Sequence, residues 1–334
     1  MASLKLAFLC HLCLLLVGIV CAVYKGADIS FVTQQEKDGQ PFLDSNGKKT
    51  DLFALMKSYG MNAVRLRVWK PRIGPKNRYR EWNPTLKTEK AKIPRNEYKV
   101  NPAGGWCNKV DTLNKAKRAK AQGMALMIDF HYADSWADPG QQPIPSAWKG
   151  HSLEQLVTDV YKHTYEVLSY LKSNGISVLW VQVGNEINNG MLWPIAKTPN
   201  YAAISKLINS GYKASKAVYP NALKAGTNYD AVGISHYPNK SNWQQLNAQS
   251  EITMKQMISK FGKKVVVAEI GMKWSDADAS EAMLADIFTR VTAMGNNGIG
   301  VFYWEPNLTP DHYEMGAMDS SGKFTKAITS YNRY

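Results

Sequence analysis

Residues Ser152–Glu186 read SLEQLVTDVYKHTYEVLSYLKSNGISVLWVQVGNE. Ser152 with Gln155 three positions later has the form of a capping box, which opens a helix by satisfying its first free N–H groups. Leu153, Leu156, Val157, Val160, Tyr161, Tyr165, Leu168 and Leu171 then recur at helical spacing as far as Gly175. The apolar run Ile176–Val183 follows, as expected of a strand buried on both faces of a parallel sheet. Asn185 and Glu186 stand just beyond its carboxyl end.

The same unit recurs on either side. Strands are expected at Lys25–Ile29, Asn62–Trp69, Met124–Phe130, Ala231–Ser235, Lys264–Ala268 and Ile299–Trp304. Helices are expected from Asp51 to Tyr59, Lys109–Gln122, Tyr201–Val218, Trp243–Phe261 and Ser280–Met294. Pro71, Pro75, Pro84, Pro94 and Pro102 exclude regular helix from 70–104, which reads as a long excursion. Alternating strands and helices allow a doubly wound sheet or a closed barrel. No strand runs into a glycine-rich phosphate-binding turn, so nucleotide binding has no support. Polar and aromatic side chains gather instead past the strand ends: Asp28, Arg65, Arg67, Trp69, Asp129, His131, Asn185, Glu186, His236, Tyr237, Glu269 and Trp304. A (β/α)8 (TIM) barrel builds its active site there.

The chain has 334 residues, 45% hydrophobic and 20% charged, enough to bury a sizeable core. Lys5 followed by the apolar run Leu6–Val20 and Val20-Cys21-Ala22 reads as a signal peptide over residues 1–22, leaving 23–334 as a single barrel domain outside the cell. No later segment has the length of a membrane span. Of four cysteines, Cys10, Cys13 and Cys21 lie in the leader; Cys107 reads as a structural thiol without a disulfide framework. The net charge is +14, and residues 70–99 carry ten Lys/Arg against three Glu, a patch suited to an acidic polymer. An exported chain without a recognition motif is not expected to bind nucleic acid. Neither a cofactor nor a metal is expected, and the chain reads as a monomer.

Two glutamates, Glu186 and Glu269, each close an apolar strand and would face each other across a barrel mouth. Glycoside hydrolysis needs such a pair: one carboxylic acid protonates the leaving oxygen while the other carboxylate attacks from the opposite side. Asn185 is placed to bond a sugar 2-hydroxyl. One of Arg65 and Arg67 is expected to face the lumen, keeping the nucleophile ionised, and the other to face the helices. Asp129, His131, Trp136, His236, Tyr237 and Trp304 complete the candidate substrate-binding set, Trp304 as platform for the reacting sugar and Tyr237 as hydrogen-bond partner of the nucleophile.

Gly26–Ser30, Arg65–Trp69, Asp129–Pro139, Gly184–Glu186 with Leu192–Pro194, Gly233–Pro238, Val265–Glu269 and Val301–Pro306 resemble, in order, the endo-β-1,4-galactanases of glycoside hydrolase family 53. The resemblance implies a (β/α)8 barrel with Glu186 as acid/base after strand 4 and Glu269 as nucleophile after strand 7. The implied substrate is the β-1,4-galactan of pectic arabinogalactan. One stretch departs from the pattern: Pro220–Asp230 replaces the fifth strand and its helix, which together need at least about 20 residues. Some bacterial members hold calcium in the loop after strand 7; here Gly271–Ala279 is short and its Ser275, Asp276 and Asp278 do not form a dense ligand set. Asp276 and Ser280 are expected to cap the next helix. Asn239-Lys-Ser241 and Asn307-Leu-Thr309 are glycosylation sequons. The rival readings are another barrel endo-glycosidase, a mannanase or cellulase, or a carbohydrate-binding protein inactivated by the missing unit.

Overall fold

A computed structural model of the protein describes residues 23–70, 105–224 and 229–334. The leader and nearly all of the basic excursion lie outside them. The strands of the main sheet are β1 (Tyr24–Asp28), β2 (Ala63–Val68), β3 (Ala125–Phe130), β4 (Trp180–Val183), β5 (Leu223–Lys224), β6 (Ala231–His236), β7 (Lys264–Ile270) and β8 (Gly298–Trp304). All lie parallel in one sheet ordered β5-β4-β3-β2-β1-β8-β7-β6. Among the described residues the two-residue β5 pairs only with β4, and β6 only with β7. Among the described residues no strand pairing joins β5 to β6, at the place where the sequence lacks most of its fifth unit.

The helices are α1 (Val32–Lys37), α2 (Leu52–Ser58), α3 (Lys109–Ala121), α4 (Leu153–Ser173), α5 (Tyr201–Val218), α6 (Trp243–Phe261) and α7 (Ala277–Thr292). Asp51 caps α2 by accepting from the Ala54 N–H, and Ser152 and Gln155 form the expected reciprocal box at α4. The expected caps of α7 do not form: Asp276 makes no side-chain cap bond and pairs with Lys240 at 3.4 Å, while Ser280 lies inside the helix.

Strand alternation separates two cores. Val64, Leu66 and Val68 of β2 pack outward with the helices, among Leu113, Leu156, Val160 and Leu168. Ala63 points the other way and joins Met127, Trp180, Val266, Ala268, Ile299 and Phe302 in the lumen. The lumen floor is tight at Gly26, where a Cβ would lie 2.3 Å from the Phe302 ring. Above it the lumen-facing positions become polar, and that change positions the site.

Arg65 and Arg67 correct the sequence reading. Residues two apart on a strand share a face, so both guanidinium groups point into the barrel, and both are fully buried. Strand register places their partners alongside: Asp28 is opposite Arg65 on one side and Trp304 on the other, and Asp129 is opposite Arg67.

Candidate active site

Gly184 turns the chain at the end of β4 with φ +86°, where an added Cβ would lie 2.7 Å from Ile187. Glu186 itself has φ 46°, in the left-handed region that non-glycine residues rarely adopt. Such strain persists only where the surroundings enforce it, and it gathers at active sites. Next to it the buried Gln142 side-chain amide donates to the Asn185 carbonyl at 2.8 Å. Asn185 is anchored on both sides of its amide, donating to the Ala137 carbonyl at 2.9 Å and accepting from Arg65 at 2.9 Å.

Arg65 joins the site together. Its Nη1 donates to Asp28 at 2.8 Å, its Nη2 lies 2.9 Å from Asp129 and from Glu269 Oε1, and its Nε donates to Gln182 at 3.1 Å. Burial pulls the pKa of this guanidinium down; the three carboxylates outweigh it and raise the pKa. The other Glu269 oxygen accepts from the Tyr237 hydroxyl at 2.8 Å. Burial lifts the Glu269 carboxyl above its ordinary range, while Arg65 and Tyr237 oppose that shift by stabilising the anion.

Glu186 has a different setting. Its pKa is pushed up to about 7, first by burial and then by the charge of Glu269, against smaller opposing pulls from the Ser235 hydroxyl and Arg65. The two carboxyls thus sense each other, but only Glu269 is in direct contact with a guanidinium. Such a division of environments assigns acid and nucleophile roles to a carboxylate pair.

Arg67 lies beneath an aromatic cage. Its guanidinium carbon is 4.2 Å from the Phe31 ring centroid, 4.7 Å from Trp136, 5.3 Å from Trp69 and 5.9 Å from Trp304. Its Nη2 pairs with buried Glu305 at 2.9 Å. Trp304 packs edge-on against Tyr313 at 4.8 Å and tilts toward Trp136 at 6.0 Å. His131 joins the same wall through Asp129 at 3.0 Å.

The structure therefore brings together Glu186, Glu269, Asn185, Arg65, Arg67, Asp129, His131, Trp136, Tyr237 and Trp304. His236 is not among them. It turns outward, bonding Asn247 of α6 at 2.7 Å and Ser250 at 3.1 Å, because alternation along β6 gives the inward positions to Ser235 and Tyr237. Ser235, Gln142, Tyr313 and Glu305 were not expected. Ser235 follows from strand parity; Gln142 and Tyr313 lie in irregular loops, where sequence carries no spacing signal. Cys107 is buried and free, its thiol pushed up to about 11 by burial, which leaves it inert as a nucleophile at neutral pH.

A β/α barrel whose mouth carries two strand-end glutamates in these settings belongs to the glycoside hydrolases. Comparison with known proteins specifies which. The family model described as "Glycosyl hydrolase family 53" matches residues 24–223 and 215–332, two segments that overlap from the end of α5 to the start of β5. A probable arabinogalactan endo-beta-1,4-galactanase A of Neosartorya fischeri is 31% identical over 85% of this chain and 83% of its own. The arabinogalactan endo-beta-1,4-galactanase of Thermothelomyces thermophilus is 30% identical over 93% and 99%. A solved fungal β-1,4-galactanase superposes with a TM-score of 0.76 at 25% identity, covering 93% of this chain and 99% of its own. The GH53 catalytic domain of Ignisphaera aggregans shares the fold with the same score. The chain belongs to glycosyl hydrolase family 53.

Proposed function

We propose that the protein is a secreted endo-β-1,4-galactanase acting with retention of configuration, with residues 23–334 forming one catalytic barrel that works as a monomer. The observation that carries this reading is the unequal treatment of the two carboxyls: Glu269 held by Arg65 and Tyr237, and Glu186 raised to about 7. Relatives at about 30% identity are named as arabinogalactan endo-β-1,4-galactanases, which supports the choice of substrate.

In the proposed reaction the Glu269 carboxylate attacks the anomeric carbon while Glu186 gives its proton to the glycosidic oxygen, and the leaving chain departs as an alcohol. Glu186, now a carboxylate, removes a proton from water, which attacks the same carbon and frees Glu269. Trp304 and Trp136 offer apolar faces to the reacting sugar. Arg65 neutralises the departing carboxylate in the second step. Asn185 presents its amide to the 2-hydroxyl. Substrate comes from galactan side chains of pectin, whose anionic backbone would attract the basic segment 70–99.

Comparison of reducing-end release from linear β-1,4-galactan, mannan and cellulose tests the substrate class. Release from galactan alone is expected; preference for mannan or cellulose would favour another barrel endo-glycosidase, and binding without release an inactive carbohydrate-binding protein. The anomer formed first, followed by proton NMR, is expected to be β; an initial α product would contradict retention.

A further inference from the structure

Galactan cleavage leaves two motifs of the sequence unused, the sequons Asn239-Lys-Ser241 and Asn307-Leu-Thr309. Each has an asparagine followed two positions later by a hydroxyl residue, the acceptor pattern for an N-linked glycan. A glycan is bulky and hydrophilic, so the asparagine that bears one must present its Nδ2 to solvent at the surface. The fold treats the two sequons in opposite ways. Asn307 lies in the turn after β8 and is fully buried. Its Nδ2 donates to Gln35 Oε1 at 2.5 Å and to Glu305 Oε2 at 3.3 Å. Glu305 is the carboxylate that pairs with Arg67, so a substituent on Asn307 would break into the packing beneath the aromatic cage.

The backbone carbonyl of Asn307 is held as well, by the Gln35 and Gln40 amides at 2.9 and 2.8 Å. Thr309 is equally closed: it is buried, and its hydroxyl bonds His312 at 2.8 Å. Pro310 follows it and biases Thr309 toward extended backbone. Asn239 has a different setting. It stands in the loop between β6 and α6, where Asn239, Lys240 and Ser241 are all exposed. Its Oδ1 accepts from the Ser241 N–H at 2.9 Å and from the Ser241 hydroxyl at 2.6 Å. The carbonyl side of the amide is thereby tied to the chain, and among the described residues nothing bonds its Nδ2. Asn239 lies two positions past Tyr237, on the rim of the barrel mouth and outside the set that holds the two glutamates.

We infer that Asn239 is the N-glycosylation site of this protein and that Asn307 stays unmodified. The inference rests on the export proposed above, which brings the chain to a donor oligosaccharide carried on a lipid diphosphate. In the transfer, Nδ2 of Asn239 forms a bond to the anomeric carbon of the donor and gives up one proton. The bond from that carbon to the diphosphate oxygen breaks, and its electron pair leaves with the lipid diphosphate. A hydrated sugar chain then extends from the rim, covalently held and separate from any galactan in the site. At Asn307 the same product would have no exit to solvent.

Expression of the full chain in a eukaryotic secretory host provides the test, with peptide mass spectrometry before and after enzymatic deglycosylation, which converts a glycan-bearing asparagine to aspartate. New aspartate is expected at 239, with asparagine kept at 307 and one glycan's gel shift lost on treatment. Asn239→Gln and Ser241→Ala should each abolish that shift; the peptides of the unaltered chain decide the matter even where a variant is not secreted. Secreted protein with asparagine at 239 after treatment, new aspartate at 307, or a shift that survives in either variant would overturn the inference while export stands. If the chain stays inside the cell, the export reading fails, and the same full chain behind an established secretory leader decides the site by the same peptides.

Discussion

Glu186 and Glu269 differ in which charges reach them, and this difference makes the pH profile informative. An acid works only while protonated, so with Glu186 near 7 the catalytic rate on galactan should fall as pH rises through about 7. Removing the negative charge of Glu269 removes one of the upward pushes on Glu186. In Glu269→Gln the Glu186 titration, followed by carboxyl-sensitive NMR, should move to lower pH; an unchanged value would mean that the two carboxyls do not interact. Tyr237 is the complementary case. Tyr237→Phe deletes one hydrogen bond to an anion, a contact typically worth about 1.5–3 kcal/mol. If that bond tightens in the second step, kcat should drop roughly tenfold to a hundredfold with little change in KM; a change confined to KM would place Tyr237 in sugar binding instead.

At the level of elements, the sequence was most legible where a single period dominates. The spacing from Leu153 to Leu171 and the Ser152/Gln155 pair specify α4 almost to the residue, and the box forms. Replacing Ser152 by Ala should cost about 1 kcal/mol of unfolding free energy, read from denaturant melts; no change would show that the cap is redundant with the packing of α4. Strand ends were less legible. The apolar run from Ile176 enters the sheet only at Trp180, because hydrophobicity reports burial and not ladder pairing. Strand parity was present in the sequence: positions 63, 65 and 67 share one face, and 235 and 237 share another, which sends both arginines inward and His236 outward. The gathering of Gln142, Tyr313 and Glu305 around the site depends on loop and turn geometry that no spacing encodes.

For the whole molecule, the truncated fifth unit, of which the two-residue β5 is the described remnant, decides the architecture. Six residues separate Lys224 from Ala231, too few for a helix and two turns, and among the described residues β5 and β6 are the two outer strands of the sheet. The proposed catalytic residues draw on none of the missing segment: Arg65, Asn185, Glu186, Tyr237 and Glu269 come from strands β2, β4, β6 and β7, or the residues just past them. Stability, rather than chemistry, should bear the loss. Grafting the fifth strand and helix of a family relative between Lys224 and Ala231 would bury the exposed face of β6, with about 2 kcal/mol gained for each large apolar side chain covered. The thermal midpoint should rise by several degrees; an unchanged midpoint would show that the seam is already sheltered.

The central claim is that this chain, open barrel included, cleaves β-1,4-galactan through Glu186 and Glu269. The direct measurement is oligosaccharide release from linear β-1,4-galactan by the full chain beside its Glu269→Ala variant, with circular dichroism confirming that both are folded. The account predicts internal cleavage by the unaltered chain and none by the variant. No release by the folded unaltered chain, or equal release by both, would contradict it.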